Sequence, residues 1–185
     1  MFGQIGVPTR SSLIDTRQEE CIFLQPGELV TSATPVRVKT VVGSCLAIMI
    51  RAPRLGLAAV AHCLLPKAGV PVETLPREQA LRYVDATLEL ILEMLARRGA
   101  RGADLEIKLF GGAEGLGGPG TASIYNVGSR NVAAASGLLA EHGLTVAASC
   151  LGGSTGRVLE FDTETGDVFV QKLPARLAHN RWESS

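Results

Sequence analysis

The sequence has no excess of charge of either sign, since 18 Lys and Arg residues balance 18 Asp and Glu residues in a chain of 185. This balance removes the net positive charge that is expected of a nucleic-acid-binding protein. Long hydrophobic runs are also missing, because Cys45–Ile50 and Leu55–Ala61 are far shorter than a bilayer span. The N-terminus shows no basic start followed by an apolar stretch, as a signal peptide would. We therefore expect a cytoplasmic protein that neither binds nucleic acid nor inserts into a membrane.

Cysteine is sparse, with four residues (Cys21, Cys45, Cys63 and Cys150) and no Cys-x-x-Cys motif. In a cytoplasmic protein we expect these to be reduced thiols rather than a disulfide framework. A zinc site built from Cys45, His62, Cys63 and Cys150 is disfavoured, because the adjacent His62 and Cys63 would point to opposite faces of a strand. We therefore expect no metal.

The length and the composition of the chain predict one domain. Hydrophobic residues make up 46% and charged residues 19% of the sequence, which is ordinary for a globular protein. A domain of this size needs no metal or disulfide to be stable. Weak periodicity and polar composition mark residues 1–22 as a loose leader and residues 174–185 as an exposed tail. We expect the globular domain to span residues 23–173.

Seven short segments predict β-strands, because they alternate in polarity or are wholly apolar between turn signals. They are Val36–Val42, Cys45–Arg51, Gly56–His62, Leu105–Phe110, Leu144–Cys150, Arg157–Phe161 and Asp167–Gln171. The second and third of these are separated by only four residues, which indicates a hairpin.

Two longer segments predict helices. The segment Arg77–Arg98 carries an apolar stripe at helical spacing and is followed by Gly99, a typical stop. The segment Arg130–His142 follows Ser129, a good N-cap residue, and precedes Gly143. Hairpins at both ends of the chain, with helices between them, predict an α+β fold rather than a doubly wound parallel sheet.

A candidate nucleophile lies in the run Thr-Val-Val-Gly-Ser-Cys at positions 40–45. Gly43 permits a sharp turn, and a tight turn can aim successive backbone N–H groups at one point, as an oxyanion requires. Cys45 would then lie beside donors from Gly43 and Ser44. The alternative is that Cys45 is a small apolar core residue, because free cysteine is among the most buried residue types.

A candidate base ends the other strand of the same predicted hairpin. His62 lies 17 residues after Cys45, and the start of one antiparallel strand neighbours the end of the next. The imidazole would then be within reach of the thiol. A nearby imidazolium lowers a thiol pKa, so we expect Cys45 to have the lowest pKa of the four thiols. The alternative is a hydrogen-bonded core histidine.

Two further stretches are candidates for binding. Gly115, Gly117 and Gly120 form a literal Gly-x-Gly-x-x-Gly, but the residues that follow do not open a helix as a dinucleotide site requires. We expect a flexible active-site loop there instead. At the start of the second predicted helix, Arg130 and Asn131 either bind a carbonyl or carboxylate group or are simply solvated.

Several segments, in order along the chain, match the motifs of one known family. They are Pro26-Gly27-Glu28 with Thr40–Cys45, Ala61–Pro66, Arg82–Ala86, Lys108–Ala113, Gly128–Val132, and the closing glycines at 152, 153, 156 and 166. Taken together they resemble the CheD family of chemoreceptor glutamine deamidases, over roughly residues 23–173. One departure is Ser149-Cys150-Leu151, since the family usually has an acidic residue shortly before the paired glycines.

The resemblance implies a fold similar to the catalytic domain of cytotoxic necrotizing factor toxins, with packed, sandwich-like β-sheets flanked by helices. It implies that Cys45 is the nucleophile, His62 its base and Thr40 the third member of a triad, with no cofactor. The implied activity is the hydrolytic deamidation of glutamine side chains on the cytoplasmic helices of chemoreceptors in bacterial chemotaxis. The family also has a known partner, the CheC-type phosphatase.

Two other functions stay open. The first is a binding module that docks on receptors or on a CheC-type phosphatase without turnover, although such a module would be expected to have lost Cys45 or His62. The second is another thiol enzyme on the same scaffold, such as a transglutaminase. Thr40 has its own alternative, a β-branched strand residue chosen for packing.

Overall fold

The computed structural model describes residues 21–114 and 126–174. Within them, the strands are β1 (Cys21–Phe23), β2 (Leu29–Ser32), β3 (Arg37–Val42), β4 (Leu46–Ala52), β5 (Leu57–Cys63), β6 (Glu106–Gly111), β7 (Val146–Leu151), β8 (Arg157–Asp162) and β9 (Val168–Lys172). The α-helices are α1 (Arg77–Ala80), α2 (Val84–Arg97) and α3 (Val127–Glu141). Short 3-10 turns occur at Pro53–Leu55, Val72–Thr74 and Gly102–Asp104.

The strands form two mixed sheets. One has the order β1-β3-β8-β9 and the other has the order β2-β5-β4-β6-β7. The β1–β3 and β6–β7 pairs are parallel, and all other pairs are antiparallel. This arrangement confirms the predicted α+β class with packed sheets and flanking helices.

Alternation along β4 divides the core into two clusters. Leu46, Ile48 and Ile50 pack with residues of α2 and α3, whereas Ala47 and Met49 face the four-stranded sheet. All five are at most 1% exposed, and full burial of one Leu, Ile or Met side chain contributes about 1.5–3 kcal/mol. The five-stranded sheet is therefore the middle of three layers. This position explains why β4 is apolar at successive residues and does not alternate in polarity.

The helix predicted over Arg77–Arg98 is interrupted, and this correction has a clear cause. The residues between α1 and α2 form a short parallel bridge with the segment after β5. The carbonyl of Arg82 accepts hydrogen bonds from the N–H groups of Leu64 and Leu65, both at 2.9 Å. The backbone of Tyr83 is extended (φ −107°, ψ 137°). Backbone groups that pair with a neighbouring segment in this way cannot also continue a helix.

The second predicted helix begins earlier than expected. It starts at Val127 rather than Arg130, and Asn126 occupies the N-cap position without a side-chain capping bond. Ser129, expected to be the cap, lies inside the first turn and donates its hydroxyl to the carbonyl of Asn126 at 3.2 Å. Serine bonds back to local carbonyls as readily as it caps, so its presence did not fix the boundary.

All seven predicted strands are present with ends shifted by two residues or fewer. The structure adds β1 and β2, which have only three and four residues and show too little alternation to be recognised. β1 begins at Cys21, so the first sheet includes the last two residues of the expected leader. The rest of that leader (1–20) and residues 175–185 of the expected tail lie outside the described residues. No helix within 21–114 and 126–174 has both the length and the apolar character needed to cross a membrane.

Candidate active site

The segment Gly43–Cys45 connects β3 to β4 at one end of the two sheets. Gly43 does not adopt a left-handed backbone, and a Cβ there would meet no atom within 4 Å. The turn that Gly43 permits is therefore made without the left-handed conformation that favours glycine. The absence of a side chain at this position leaves open space beside Ser44 and Cys45.

Every carbonyl of this segment is held by a donor from elsewhere in the chain. The bonds are Ala113 N–H to Gly43 O (2.8 Å), Asn131 Nδ2 to Ser44 O (2.9 Å) and Gly112 N–H to Cys45 O (2.8 Å). The donors come from the two residues that follow β6 and from α3. Three consecutive fixed carbonyls make the segment a rigid platform rather than a loose loop.

The end of β6 and the start of α3 press closely on this platform. Gly111 has φ +117°, and a Cβ on it would lie 2.2 Å from the carbonyl oxygen of Cys45. A Cβ on Gly128 would lie 2.5 Å from the carbonyl oxygen of Ala113. These glycines are required because backbone approaches backbone, which explains two of the glycine motifs found in the sequence.

His62, near the end of β5, is held by Thr40 of β3. The Thr40 hydroxyl donates to the carbonyl of Leu24 at 2.8 Å and lies 2.8 Å from His62 Nδ1. A hydroxyl has one proton, so His62 Nδ1–H must be the donor in the second bond. The other ring nitrogen, Nε2, is buried and has no hydrogen-bond partner among the described residues. The ring therefore presents a free lone pair.

Backbone bonds on either side also fix His62. Its carbonyl accepts a bond from the N–H of Gly27 at 2.8 Å, and its own N–H donates to the carbonyl of Glu28 at 3.0 Å. Gly27 adopts φ +83°, a left-handed conformation that favours glycine. The Pro26-Gly27-Glu28 motif therefore serves to hold the backbone of the histidine.

Cys45 lies on the same side of the five-stranded sheet as His62. His62 is opposite Ala47 in the β4–β5 register, and Cys45 precedes Ala47 by two residues, so alternation gives all three the same face. Cys45 packs against the cluster between the two sheets. Diagonal cross-strand neighbours of this kind have Cα atoms about 7–8 Å apart. The register supports placing Cys45 and His62 on one face, and a direct contact between thiol and imidazole stays a prediction.

Burial sets the electrostatics of the site. It raises the pKa of the Cys45 thiol, and the backbone N–H of Cys45 only partly offsets this. Burial lowers the pKa of His62, against smaller opposing effects of the Leu24 carbonyl and the Glu28 charge. Both groups are therefore neutral near pH 7. The expectation that the site lowers the pKa of Cys45 is wrong for the protein at rest.

Two of the other sulfur atoms are clearly separated from this pair. Cys63 is fully buried on the helix side of the sheet, where burial raises its pKa to about 12. His62 and Cys63 thus point to opposite faces, as predicted. Cys21 is exposed on β1. The glycines at 115, 117 and 120, considered as part of an active-site loop, lie outside the described residues.

Arg157 is a buried charge that the sequence analysis did not single out. It is 2% exposed, and its guanidinium donates to the carbonyls of Cys150 and Gly152, with Nη1 3.2 Å from Cys150 Sγ. It lies opposite Val42 in the β3–β8 register. The cation therefore joins the end of β7 to the sheet that carries Thr40, beside the Gly43–Cys45 platform.

The sequence left two interpretations of Asn131, one as a residue that binds a carbonyl or carboxylate group and one as a solvated residue. The structure shows it fully buried and bonded through Nδ2 to the carbonyls of Ser44 and Leu64. The signal in the sequence was an amide side chain among small and apolar residues of a helix. Such a side chain is expected to be buried, and a buried polar group needs hydrogen-bond partners. The site thus combines Thr40, His62 and Cys45 with a scaffold that includes Asn131.

The fold and the candidate site define an α+β protein of two packed sheets, in which Thr40 is bonded to His62 and Cys45 packs against the cluster between the same two sheets. The family model described as "CheD chemotactic sensory transduction" matches residues 64–172. Because this match covers more than half of the chain, the protein belongs to the CheD family. The matched span begins just after His62.

Curated relatives extend the similarity upstream. A probable chemoreceptor glutamine deamidase CheD 2 of Geobacter sulfurreducens is 42% identical over 152 residues, covering 82% of this chain and 89% of its own. A probable chemoreceptor glutamine deamidase CheD of Maridesulfovibrio salexigens is 38% identical, covering 82% of this chain and 91% of its own. Among solved structures, YlmD from Geobacillus stearothermophilus matches with a TM-score of 0.44 and 13% identity, covering 84% of this chain and 70% of its own.

Proposed function

We propose that this protein deamidates glutamine side chains of chemoreceptors to glutamate, with Cys45 as nucleophile, His62 as base and Thr40 as the residue that orients the base. The observation that carries the proposal is the His62 ring, whose Nδ1 is bonded to Thr40 while Nε2 is free. A free, buried Nε2 on the face that carries Cys45 is what a general base requires. The names of the curated relatives supply the substrate class.

The reaction proceeds by acyl transfer through sulfur. As the Cys45 sulfur bonds to the amide carbon, the thiol proton passes to His62 Nε2, and the carbonyl oxygen becomes an oxyanion held by backbone N–H groups of the Gly43–Cys45 segment. His62 then returns the proton to the amide nitrogen, the C–N bond breaks and ammonia leaves. Water, deprotonated by His62, attacks the thioester carbon, the C–S bond breaks, and His62 returns the proton to the sulfur, which releases glutamate and restores the thiol. No cofactor enters these steps.

The neutral resting pair suits this general-base route. Because the pKa of Cys45 is raised and that of His62 is lowered, proton transfer accompanies attack rather than preceding it. Thr40 contributes by keeping the proton on Nδ1, so that Nε2 faces the reaction. Each turnover replaces a neutral amide with a carboxylate and so adds one negative charge to a receptor helix.

Mass spectrometry of a chemoreceptor fragment incubated with the protein tests the proposal directly. We expect a gain of about one dalton at specific glutamines, because OH replaces NH₂ in the thioester route. The Cys45→Ala variant provides the control and should leave the fragment unchanged. Binding of the fragment without any mass gain would favour the non-catalytic binding module. Exchange of an added primary amine in place of hydrolysis would favour a transglutaminase.

From the family resemblance we further propose where this protein acts and which protein it binds. The location is the cytoplasm, where the receptor helices that it modifies would be accessible. The binding partner is a CheC-type phosphatase, a proposal that rests on the resemblance alone. Co-elution of the two purified proteins on size-exclusion chromatography is the expected result. Separate elution at micromolar concentration would contradict the partnership without affecting the deamidase proposal.

A further inference from the structure

We propose that Asn131 is a positioning residue that aims the backbone N–H groups of Ser44 and Cys45 at the developing oxyanion. This inference rests on the proposed function and specifies how the oxyanion site is built. Asn131 lies near the start of α3 and is 0% exposed. This role follows from its two hydrogen bonds and from the planar peptide group between Ser44 and Cys45 that one of them holds.

One side chain connects the nucleophile segment to the strand of the base. Asn131 Nδ2 lies 2.9 Å from the carbonyl oxygen of Ser44, which precedes Cys45, and 3.1 Å from that of Leu64, which follows His62 by two residues. Two carbonyl acceptors use both amide protons. The spacing between the two candidate catalytic segments is therefore set in part by one amide group.

The orientation of the amide is determined by these partners. If the group were turned over, Oδ1 would face two carbonyl oxygens with no proton between them. In the observed orientation Oδ1 is buried and has no hydrogen-bond partner among the described residues. A buried unsatisfied oxygen lowers stability, and an apolar residue would avoid that cost. Asn131 is therefore better explained by what its N–H groups hold than by packing.

The planarity of the peptide group converts these bonds into directions. In a trans peptide the C=O and the following N–H point in opposite directions. The bond from Asn131 turns the Ser44 carbonyl toward α3, so the N–H of Cys45 points away from α3. The bond from Ala113 to the Gly43 carbonyl fixes the N–H of Ser44 in the same manner.

Both donors approach from one side of the segment. Gly128 of α3 lies directly against the carbonyls of Gly112 and Ala113, so Asn131 and Ala113 belong to one packed unit. The N–H groups of Ser44 and Cys45 therefore both point to the side away from that unit. No hydrogen bond among the described residues uses the N–H of Ser44. This leaves it available to a substrate oxygen.

The sulfur lies on that same side. Cys45 packs against the cluster between the two sheets, whereas Ala135 and Leu139 of α3 belong to the cluster on the other face of the five-stranded sheet. The backbone N–H of Cys45 also partly offsets the burial that raises the pKa of its own thiol. An N–H that faces the nucleophile also faces the carbonyl that the nucleophile attacks. Asn131 thus acts through the peptide planes on the atoms of the reaction without touching the substrate itself.

The test compares two variants of α3 that separate positioning from stability. Asn131→Ala releases the Ser44 carbonyl, while Leu139→Ala leaves a cavity under the same helix. For Asn131→Ala we expect kcat for receptor-fragment deamidation to fall roughly 10- to 100-fold, with KM within about twofold of the parent value. We also expect the pH midpoint for alkylation of Cys45 to rise. Leu139→Ala should lower the melting temperature but leave kcat and the midpoint unchanged.

If Asn131→Ala does not fold, Asn131→Ser, which retains one polar donor, is measured in the same way, with a smaller loss of kcat expected. Wild-type kcat and alkylation midpoint in the folded Asn131 variant would overturn the inference, as would changes matched by Leu139→Ala. A wild-type protein that converts no glutamine would overturn the proposed function instead. In that case the alkylation midpoint still reports whether Asn131 controls the Cys45 N–H.

Discussion

The Thr40 hydroxyl is the midpoint of a chain of hydrogen bonds that runs from His62 Nδ1 to the carbonyl of Leu24. Its single proton goes to the carbonyl, so its oxygen must accept from the ring. The ring tautomer is thus fixed by a backbone carbonyl acting through a neutral hydroxyl, with no carboxylate at the third position. A neutral partner orients an imidazole but stabilises imidazolium less than aspartate does.

The first prediction concerns this hydroxyl. Thr40→Ser keeps the donor and the acceptor and should retain most activity. Thr40→Val keeps the shape but removes the hydroxyl that accepts from His62 Nδ1–H and donates to the Leu24 carbonyl. We expect kcat/KM to fall roughly 10- to 1,000-fold, which corresponds to about 1.4–4 kcal/mol of barrier. Steady-state deamidation of a receptor fragment measures this.

Thr87→Val is the matched control for Thr40→Val. Thr87, on α2, is also a fully buried threonine. Its hydroxyl lies 3.5 Å from the carbonyl of Ala80 on α1, away from His62. We expect this variant to change stability with little effect on kcat/KM. Equal activity in Thr40→Val and the wild type would show that Thr40 only packs, and the site would then reduce to Cys45 and His62.

The second prediction is the pH dependence of the rate. His62 must be neutral to act as a base, and burial lowers its pKa below the usual 6.5. The rate should therefore rise with pH through a midpoint below 6.5 and then reach a plateau, because the thiol pKa is raised above 9.0. A preformed thiolate–imidazolium pair would instead lose activity as His62 deprotonates. A pH–rate profile of kcat/KM that fell between pH 6 and 8, roughly the range in which histidine titrates, would contradict the general-base route.

The third prediction concerns the accessibility of the thiols. Cys21 is exposed, Cys45 is partly buried and Cys63 is fully buried. In a Cys21→Ser background, the loss of activity on treatment with iodoacetamide should follow the alkylation of Cys45, and Cys63 should react only after unfolding. Peptide mass mapping during inactivation measures this. Inactivation that followed the labelling of Cys150 instead would show that Cys45 is not the reactive thiol.

The fourth prediction uses two glycines of α3. A Cβ on Gly128 would lie 2.5 and 2.6 Å from the carbonyl oxygens of Ala113 and Gly112, whereas a Cβ on Gly137 would meet nothing within 4 Å. Gly128→Ala should destabilise the fold by roughly 1–3 kcal/mol through overpacking and should lower kcat. Gly137→Ala should be stabilising by roughly 0.4–1 kcal/mol, with activity unchanged. Chemical denaturation and initial rates of the two variants provide the check.

The sequence predicted local structure well where the pattern was local. The alternation of Leu105–Phe110 and the hairpin between Cys45 and His62 both depend on neighbours in the chain. The break at Arg82 and Tyr83 could not be predicted in this way, because it results from pairing with Leu65. The spacing of apolar residues along a helix contains no information about hydrogen bonds to a segment that is distant in the sequence.

The site shows the same division. In one hairpin, His62 lies opposite Ala47, which is two residues after Cys45, so spacing alone could predict that the two segments lie near each other. The thiol pKa was predicted in the wrong direction, because the depth of burial depends on how the second sheet covers the pair. Asn131 was left between two interpretations, since its acceptors, Ser44 and Leu64, are far from it in the chain.

The order in which the site is assembled follows from the donors of the Gly43–Cys45 platform. Thr40, Cys45 and His62 emerge early during synthesis, when the N-terminal part of a chain leaves the ribosome first. The groups that fix the platform come from residues 112, 113 and 131. A nascent chain therefore carries its thiol, imidazole and hydroxyl for some time without the geometry that would make them reactive together. The Gly43–Cys45 platform is therefore fixed only in the completed domain.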